Sequence, residues 1–236
     1  MTANFSTARL LAVTLLLLLC PIKMMAQYEE EDTDTQDTYP QVSIKYCDSY
    51  EDMTENNWHT ADSVWVITKS RNKQMTWGGC DYKFDTDDTP LKNTLKKEVF
   101  AIIYNDTLLL NAYKLKDRKA KLGNGYVRAY QMTDGNILIT YMNKRKVASL
   151  IKVGTLFGNS VAFTAARNTA KRDVCYIVQP GHKDIILVDK LTMPALLKDF
   201  PILLKEYDSV DKELKQDADI TLPLLRKAKL IKEEEK

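Results

Sequence analysis

Three stretches, each with two apolar runs around a turn-forming pair, constrain this chain more than any other feature. In "EVFAIIYNDTLLLNAYKL" the break is Asn105-Asp106, two residues that tolerate the positive φ of a tight turn. "GYVRAYQMTDGNILITYM" repeats the device at Asp134-Gly135, and "DVCYIVQPGHKDIILVD" does so at Pro180-Gly181. Runs joined this closely pair antiparallel, so the pattern predicts a sheet built from three β-hairpins. Beyond residue 190 the period turns helical. "LTMPALLKDF" offers Thr192 as a cap and Pro194 in the first turn, where a missing N–H costs nothing. "PILLKEYDSVDKELKQ" sets Leu203, Tyr207, Val210 and Leu214 on one face, and "TLPLLRKAKLIKEEEK" reads as a last amphipathic helix. Hairpins followed by helices imply an α+β fold, with the C-terminal helices packed on or beside the antiparallel sheet.

The N-terminal third is read as irregular. "CDSYEDMTENNW" predicts a short helix capped by Ser49, "DSVWVITKS" alternates as a strand, and "WGGCDYKFDTDDTP" is expected to be a long loop.

Ahead of this, residues 1–26 carry Arg9, an uncharged apolar run from Leu10 to Cys20, and Ala26 at a small-residue cleavage position. That is the pattern of a secretory signal peptide, its apolar run shorter than the about 20 residues of a spanning helix. Leu19 is too bulky for a lipidation site at Cys20, so cleavage before Gln27 is expected. Losing Arg9 and Lys23 brings the 34 Lys and Arg level with the 32 Asp and Glu. Residues 27–40 open with "QYEEEDTDTQD", an acidic segment with too little apolar surface to fold alone. Residues 41–236 are then expected to form one α+β domain. Its mild positive excess is spread along the chain, unlike the concentrated basic face of a nucleic-acid binder.

Between the second and third hairpins lies "GTLFGNSVAFTAARNTA". Its small residues predict an inserted helix on which Gly154, Gly158, Ala162 and Ala165 cluster, with Ala166 beside them. Such a row lets a neighbour approach closer than the usual 8–10 Å, and offsets the helix-propensity cost of its two glycines. The same spacing serves membrane helices, and residues 147–170 are the part that would lie on or insert into lipid. The uncharged run from Val153 to Ala166 is shorter than a span, so a tightly packed helix is the preferred reading.

The stretch also contains a relaxed serine-hydrolase elbow, Gly158-Asn-Ser160-Val-Ala162, with Asp173 and His182 following in the order of those enzymes. Ala162 replaces the second glycine and the context is hairpins rather than a parallel sheet. Ser160, Asp173 and His182 therefore stand only as low-ranking catalytic candidates. No metal or cofactor is expected. His59 and His182 lack partners at ligand spacing, and "FDTDD" has Lys96 where a calcium loop needs its closing glutamate. Gly123-Asn-Gly125 precedes a strand and reads as a turn, not a phosphate cradle. Tyr104, Tyr113, Tyr126, Tyr130 and Tyr141 suggest an aromatic platform on the sheet, although aromatics are common in strands. Cys47 and Cys80, both in turn-rich sequence, are the pair a disulfide would join in an oxidising compartment, whereas Cys175 reads as a buried thiol.

"SYEDMTENNW", "KKEVFAIIYNDTLLLNAYKLK", "GNGYVRAY", the small-residue stretch and "VCYIVQ" follow one another in a familiar order. In this the chain resembles a domain-of-unknown-function family of exported proteins from Gram-negative gut-type bacteria. The resemblance implies a periplasmic or outer-membrane-side location and brings no catalytic residues. The expected function is non-enzymatic: binding an unidentified protein or envelope partner. Lipid association through residues 147–170 and serine hydrolysis are the alternatives.

Overall fold

The structure, a computed structural model, describes residues 41–71, 73–74, 79–143, 145, 149–150, 152, 164, 168 and 172–232. Its N-terminal third is not irregular. It supplies three strands of the main sheet, β1 (Gln41–Cys47), β2 (His59–Thr68) and β3 (Tyr82–Asp85). β3 lies in the expected loop: flanking Gly, Asp and Pro hid a short alternation in which Phe84 is buried and Lys83 exposed. Helix α1 (Tyr50–Thr54) forms as anticipated, with the Ser49 side chain accepting from Asp52 N at 3.0 Å. Helix α2 (Thr89–Lys97) starts from the same supposed loop. Asp88 accepts the Leu91 N–H at 3.1 Å and Pro90 occupies the first turn.

Strands β4 (Ala101–Tyr104) and β5 (Thr107–Asn111) pair around Asn105 and Asp106, whose φ values of 48° and 56° are those the turn demands. β6 (Lys116–Asp117) and β7 (Ala120–Lys121) form a separate small ribbon. β8 (Tyr126–Gln131) pairs with β9 (Ile137–Met142), and β10 (Asp173–Val178) pairs with both β9 and the short β11 (Ile186–Leu187). The fold is thus α+β, dominated by one nine-stranded antiparallel sheet in the order β11-β10-β9-β8-β3-β2-β1-β4-β5.

This sheet is more than a row of hairpins, because β8 also pairs with β5, from Leu109↔Arg128 to Asn111↔Tyr126. The second pairing closes β1, β2, β3, β8, β5 and β4 into a ring, sealed on the β3 side by the single pair Tyr82↔Tyr126. Every ring strand contributes to one core: Ile44, Val64, Phe84, Ile102, Leu109 and Tyr126, joined by Leu95 of α2. The Tyr126 hydroxyl donates to the Leu95 carbonyl, tying helix to ring. A second core includes Val127, Ile139, Tyr141 and Tyr176, and a third joins Leu138, Cys175 and Ile177 to the C-terminal helices. β9 and β10 are therefore buried on both faces, which is why they read as continuous apolar runs. Each fully buried aliphatic side chain contributes about 1.5–3 kcal/mol.

The C-terminal helices are α3 (Met193–Leu196), α4 (Pro201–Asp208) and α5 (Ala218–Lys227), shorter than the sequence suggests. α4 ends at Asp208, so Val210 and Leu214 fall in the following turns. Thr192 does not cap α3 with its side chain; its hydroxyl accepts from Asp189 N at 2.8 Å and donates to Leu187 O at 3.1 Å.

Cys47 and Cys80, expected as a pair, are buried thiols with no disulfide between them. Both pack into the second core. The leader (1–26) and acidic segment (27–40) lie outside the described residues. So do Gly154, Gly158, Ser160, Ala162, Ala165 and Ala166; within that stretch Thr164 and Asn168 are described, helical and exposed.

Candidate functional site

β8 and β9 pair only from Ala129↔Ile139 to Gln131↔Ile137. Before Ala129, β8 offers its edge to β3, while β9 runs on to Met142 paired with β10. The segment 79–81 enters where they part. Gly79 N donates to the Tyr141 hydroxyl at 2.9 Å, and Asp81 N donates to Tyr126 O at 3.0 Å. Glycine is required at 79, where a Cβ would lie 2.7 Å from Tyr141 Cζ and 2.8 Å from Met142 Cγ. It is required again at 125, where φ is +131° and a Cβ would lie 2.4 Å from the Tyr82 carbonyl oxygen.

Beside this wedge opens a cleft of about 600 Å³. Its floor comes from Asp81 and Tyr82, from Arg128 and Tyr130 of β8, and from Thr140 of β9. Lys69, Arg71 and Gln74 also line it, with Asp173, at the start of β10, and Asp219, in the first turn of α5. Arg71 grips Asp173 with two bonds, Nη1 to Oδ1 at 2.7 Å and Nη2 to Oδ2 at 2.6 Å. Its Nη1 also donates to Gln74 Oε1 at 2.8 Å, and Gln74 Nε2 donates onward to Asp81 Oδ1 at 3.2 Å. Burial, reinforced by the negative charge of Asp173, pushes the Asp81 carboxyl up to about 6, against the opposing pull of Arg71 and Arg128. Burial opposes the charge of the Arg128 guanidinium, but the nearby Tyr130 and Tyr82 phenols outweigh it and favour the charged form; Arg226 Cζ lies 5.2 Å from the Tyr130 ring centroid.

The lining is charged and polar and is already hydrogen-bonded within itself. No Ser, Cys or His is among the described residues lining it. The proposed triad fails on distance. Asp173 begins β10 and His182 follows its far end, so about 17 Å of strand separates them, too far for the Asp–His hydrogen bond the mechanism needs. Asp173 is held by Arg71, while His182 borders a smaller cleft of about 290 Å³ with Tyr50 and Phe100. The tyrosine platform does not form either, since Tyr126 and Tyr141 are 2% exposed and serve two different cores. In "FDTDD", Asp85 is bound by Lys83 at 2.9 Å and Lys92 at 2.7 Å, and Asp88 is a helix cap. Among the described residues no group of three or more His, Cys, Asp or Glu could hold a metal ion, and no helix is long and apolar enough to cross a membrane.

Compared with known families, residues 45–232 match the profile of a family of unknown function. The chain belongs to DUF6563. No curated protein and no solved structure matches it. The DUF6563 span begins within β1 and includes every described residue of the cleft. Sequence reasoning missed Arg71, Asp81 and Arg128 in this DUF6563 domain. The available signals were a charge inside the apolar strand "YVRAYQ" and an acid directly after the Gly-Gly-Cys wedge. It named Asp173, but for a role the geometry does not allow.

Proposed function

We propose that this DUF6563 protein is an exported, non-enzymatic binding protein of the bacterial envelope, and that the cleft where β8 and β9 part is its binding site. One observation carries the choice of site: a cleft of about 600 Å³ in whose lining Arg71, Gln74, Asp81 and Asp173 are already tied into a single hydrogen-bonded network. A network fixed before a ligand arrives loses little conformational freedom on binding. The apolar leader, Ala26 and the acidic segment after it support export.

Two measurements test this. In a Gram-negative host the chain is expected in the osmotic-shock fraction with Gln27 at its N-terminus; retention in the membrane pellet after carbonate extraction overturns the soluble reading. For the cleft, a library of polar small molecules is screened by thermal shift against residues 27–236 and against Thr140→Trp, which fills the floor. A compound that raises the Tm of the wild type alone supports the site. Equal shifts in both proteins, or no shift from any compound, sink it.

A further inference from the structure

Two of the cleft's carboxylates, Asp81 and Asp173, are committed to groups of the protein, whereas Asp219 and two of the cations, Lys69 and Arg128, form no ion pair among the described residues. Asp173 is occupied by Arg71, and the Asp81 carboxyl takes a hydrogen bond from Gln74 Nε2. No carboxylate among the described residues forms an ion pair with Arg128 or with Lys69. Lys69 Nζ makes one hydrogen bond, to Asn124 O at 3.3 Å. Arg128 is exposed, and the pleat of β8 sends it to the same face as Tyr130, two residues on. Tyr130 and Tyr82 line the cleft with it and, as neutral phenols, do not neutralise it. The guanidinium is a planar donor fork, which matches a carboxylate with two parallel hydrogen bonds.

We propose that the cleft recognises a sugar acid, a hydroxylated small molecule bearing one carboxylate, which is held two-pronged by Arg128. This rests on the reading of the cleft as a binding site and names its ligand class. The single negative charge follows from balance. Lys69, Arg71 and Arg128 face Asp81, Asp173 and Asp219 in one cleft, so a dianion meets repulsion that a monoanion largely escapes. Protonation of Asp81, with its carboxyl raised to about 6, tips that balance further toward an anion. The hydroxylated body follows from the remaining lining, where the Thr68 and Thr140 hydroxyls present hydrogen-bonding groups and Leu222, Pro223 and Ala218 are apolar. The face of Tyr130 is already covered by Arg226, so an aromatic ligand finds no stacking surface there.

Calorimetric titration of residues 27–236 with glucuronate, glucose and glucose 6-phosphate tests the class. Glucuronate is expected to bind and glucose to bind at least tenfold more weakly, because it lacks the carboxylate. Glucose 6-phosphate is expected to fall below glucuronate. Arg128→Gln should weaken glucuronate at least tenfold, and Arg128→Lys should sit between, since it keeps the charge and loses the fork. Each variant's unliganded Tm reports its fold; Arg128 is exposed, and the Tm is expected to stay near the wild-type value. Equal binding of glucose and glucuronate, tighter binding of the phosphate, or unchanged affinity in Arg128→Gln overturns the proposal. If a neutral compound instead shifts the wild type but not Thr140→Trp, the sugar-acid assignment fails while the binding site stands. If neither this panel nor the library binds, both fail together.

Discussion

Arg71 and Asp173, 102 residues apart, are joined by two parallel hydrogen bonds that tie the segment after β2 to the first residue of β10. Arg145 and Asp117 meet in the same two-bonded manner elsewhere in the fold, with Tyr176 donating to Asp117 Oδ2 at 3.4 Å. The two pairs differ in burial. The Asp173 side chain is 25% exposed and Asp117 only 5%, while their arginines are equally half-open to water. Arg71→Met should therefore cost about 1 kcal/mol, as water re-solvates Asp173. Arg145→Met strands a desolvated carboxylate and should cost about 3 kcal/mol. Urea denaturation of the two variants checks this ordering; equal losses would show that burial of the acid does not set the scale.

Asp81 gives the stability a pH dependence of definite sign. Its carboxyl lies near 6 in the fold, under burial and the charge of Asp173, against about 3.9 in an unfolded chain. The folded state thus holds the proton more tightly, and Asp81 destabilises the protein progressively as pH rises from about 4 to about 6. Above that the penalty is complete, on the order of 3 kcal/mol for a carboxyl raised from about 3.9 to about 6. Asp81→Asn keeps an acceptor for Gln74 and carries no charge to desolvate. It should be more stable than the wild type at pH 7.5 and indistinguishable at pH 4, read from paired urea melts. An unchanged difference across that range would remove Asp81 from the explanation.

Three glycines should respond to alanine in a fixed order. At Gly181, φ is +77° and nothing lies within 4 Å, so only backbone strain of about 1 kcal/mol applies. At Gly79 the added methyl meets the Tyr141 ring, a packing clash of about 1–3 kcal/mol. At Gly125 the obstacle is the Tyr82 backbone carbonyl, and φ is also +131°, so the two costs combine and Gly125→Ala should be the worst. Tm values in any other order would mean the wedge between β8 and β9 is looser than it is drawn.

The thiols provide a fourth check. Cys47, Cys80 and Cys175 are each 0% exposed, and burial pushes Cys47 and Cys175 up to about 12, which keeps both protonated and unreactive. Residues 27–236, purified without reductant, should show no reaction with a thiol reagent when native and three thiols when unfolded. One thiol on unfolding would instead report a Cys47–Cys80 bond.

Legibility in the sequence follows the range of the contacts. Asn105-Asp106 announces the β4–β5 turn because both residues that need positive φ are adjacent, and Ser49 caps α1 three residues from its partner Asp52. The ring is invisible at that range: its seal joins Tyr82 to Tyr126, and its other closure joins Leu109 to Arg128. The cleft is non-local in the same way. Asp173 stands out as an acid at a strand start, but nothing near residue 71 marks Arg71 as its partner. Asp81 looked like loop polarity, because the wedge that buries it exists only after β8 and β9 have separated. The helices were overextended for a related reason. Val210 and Leu214 continue a helical period that the chain abandons after Asp208.

The double pairing of β8 also sets an order of assembly. All six ring strands lie between residues 41 and 131, so a chain emerging from its N-terminus holds a closable ring before β9 has appeared. β9 and β10 have no such independence, since β9 joins the sheet through the far end of β8 and β10 joins it through β9. The second half is accordingly templated on the first, and truncation after residue 131 should be far less disruptive than removal of the residues before it.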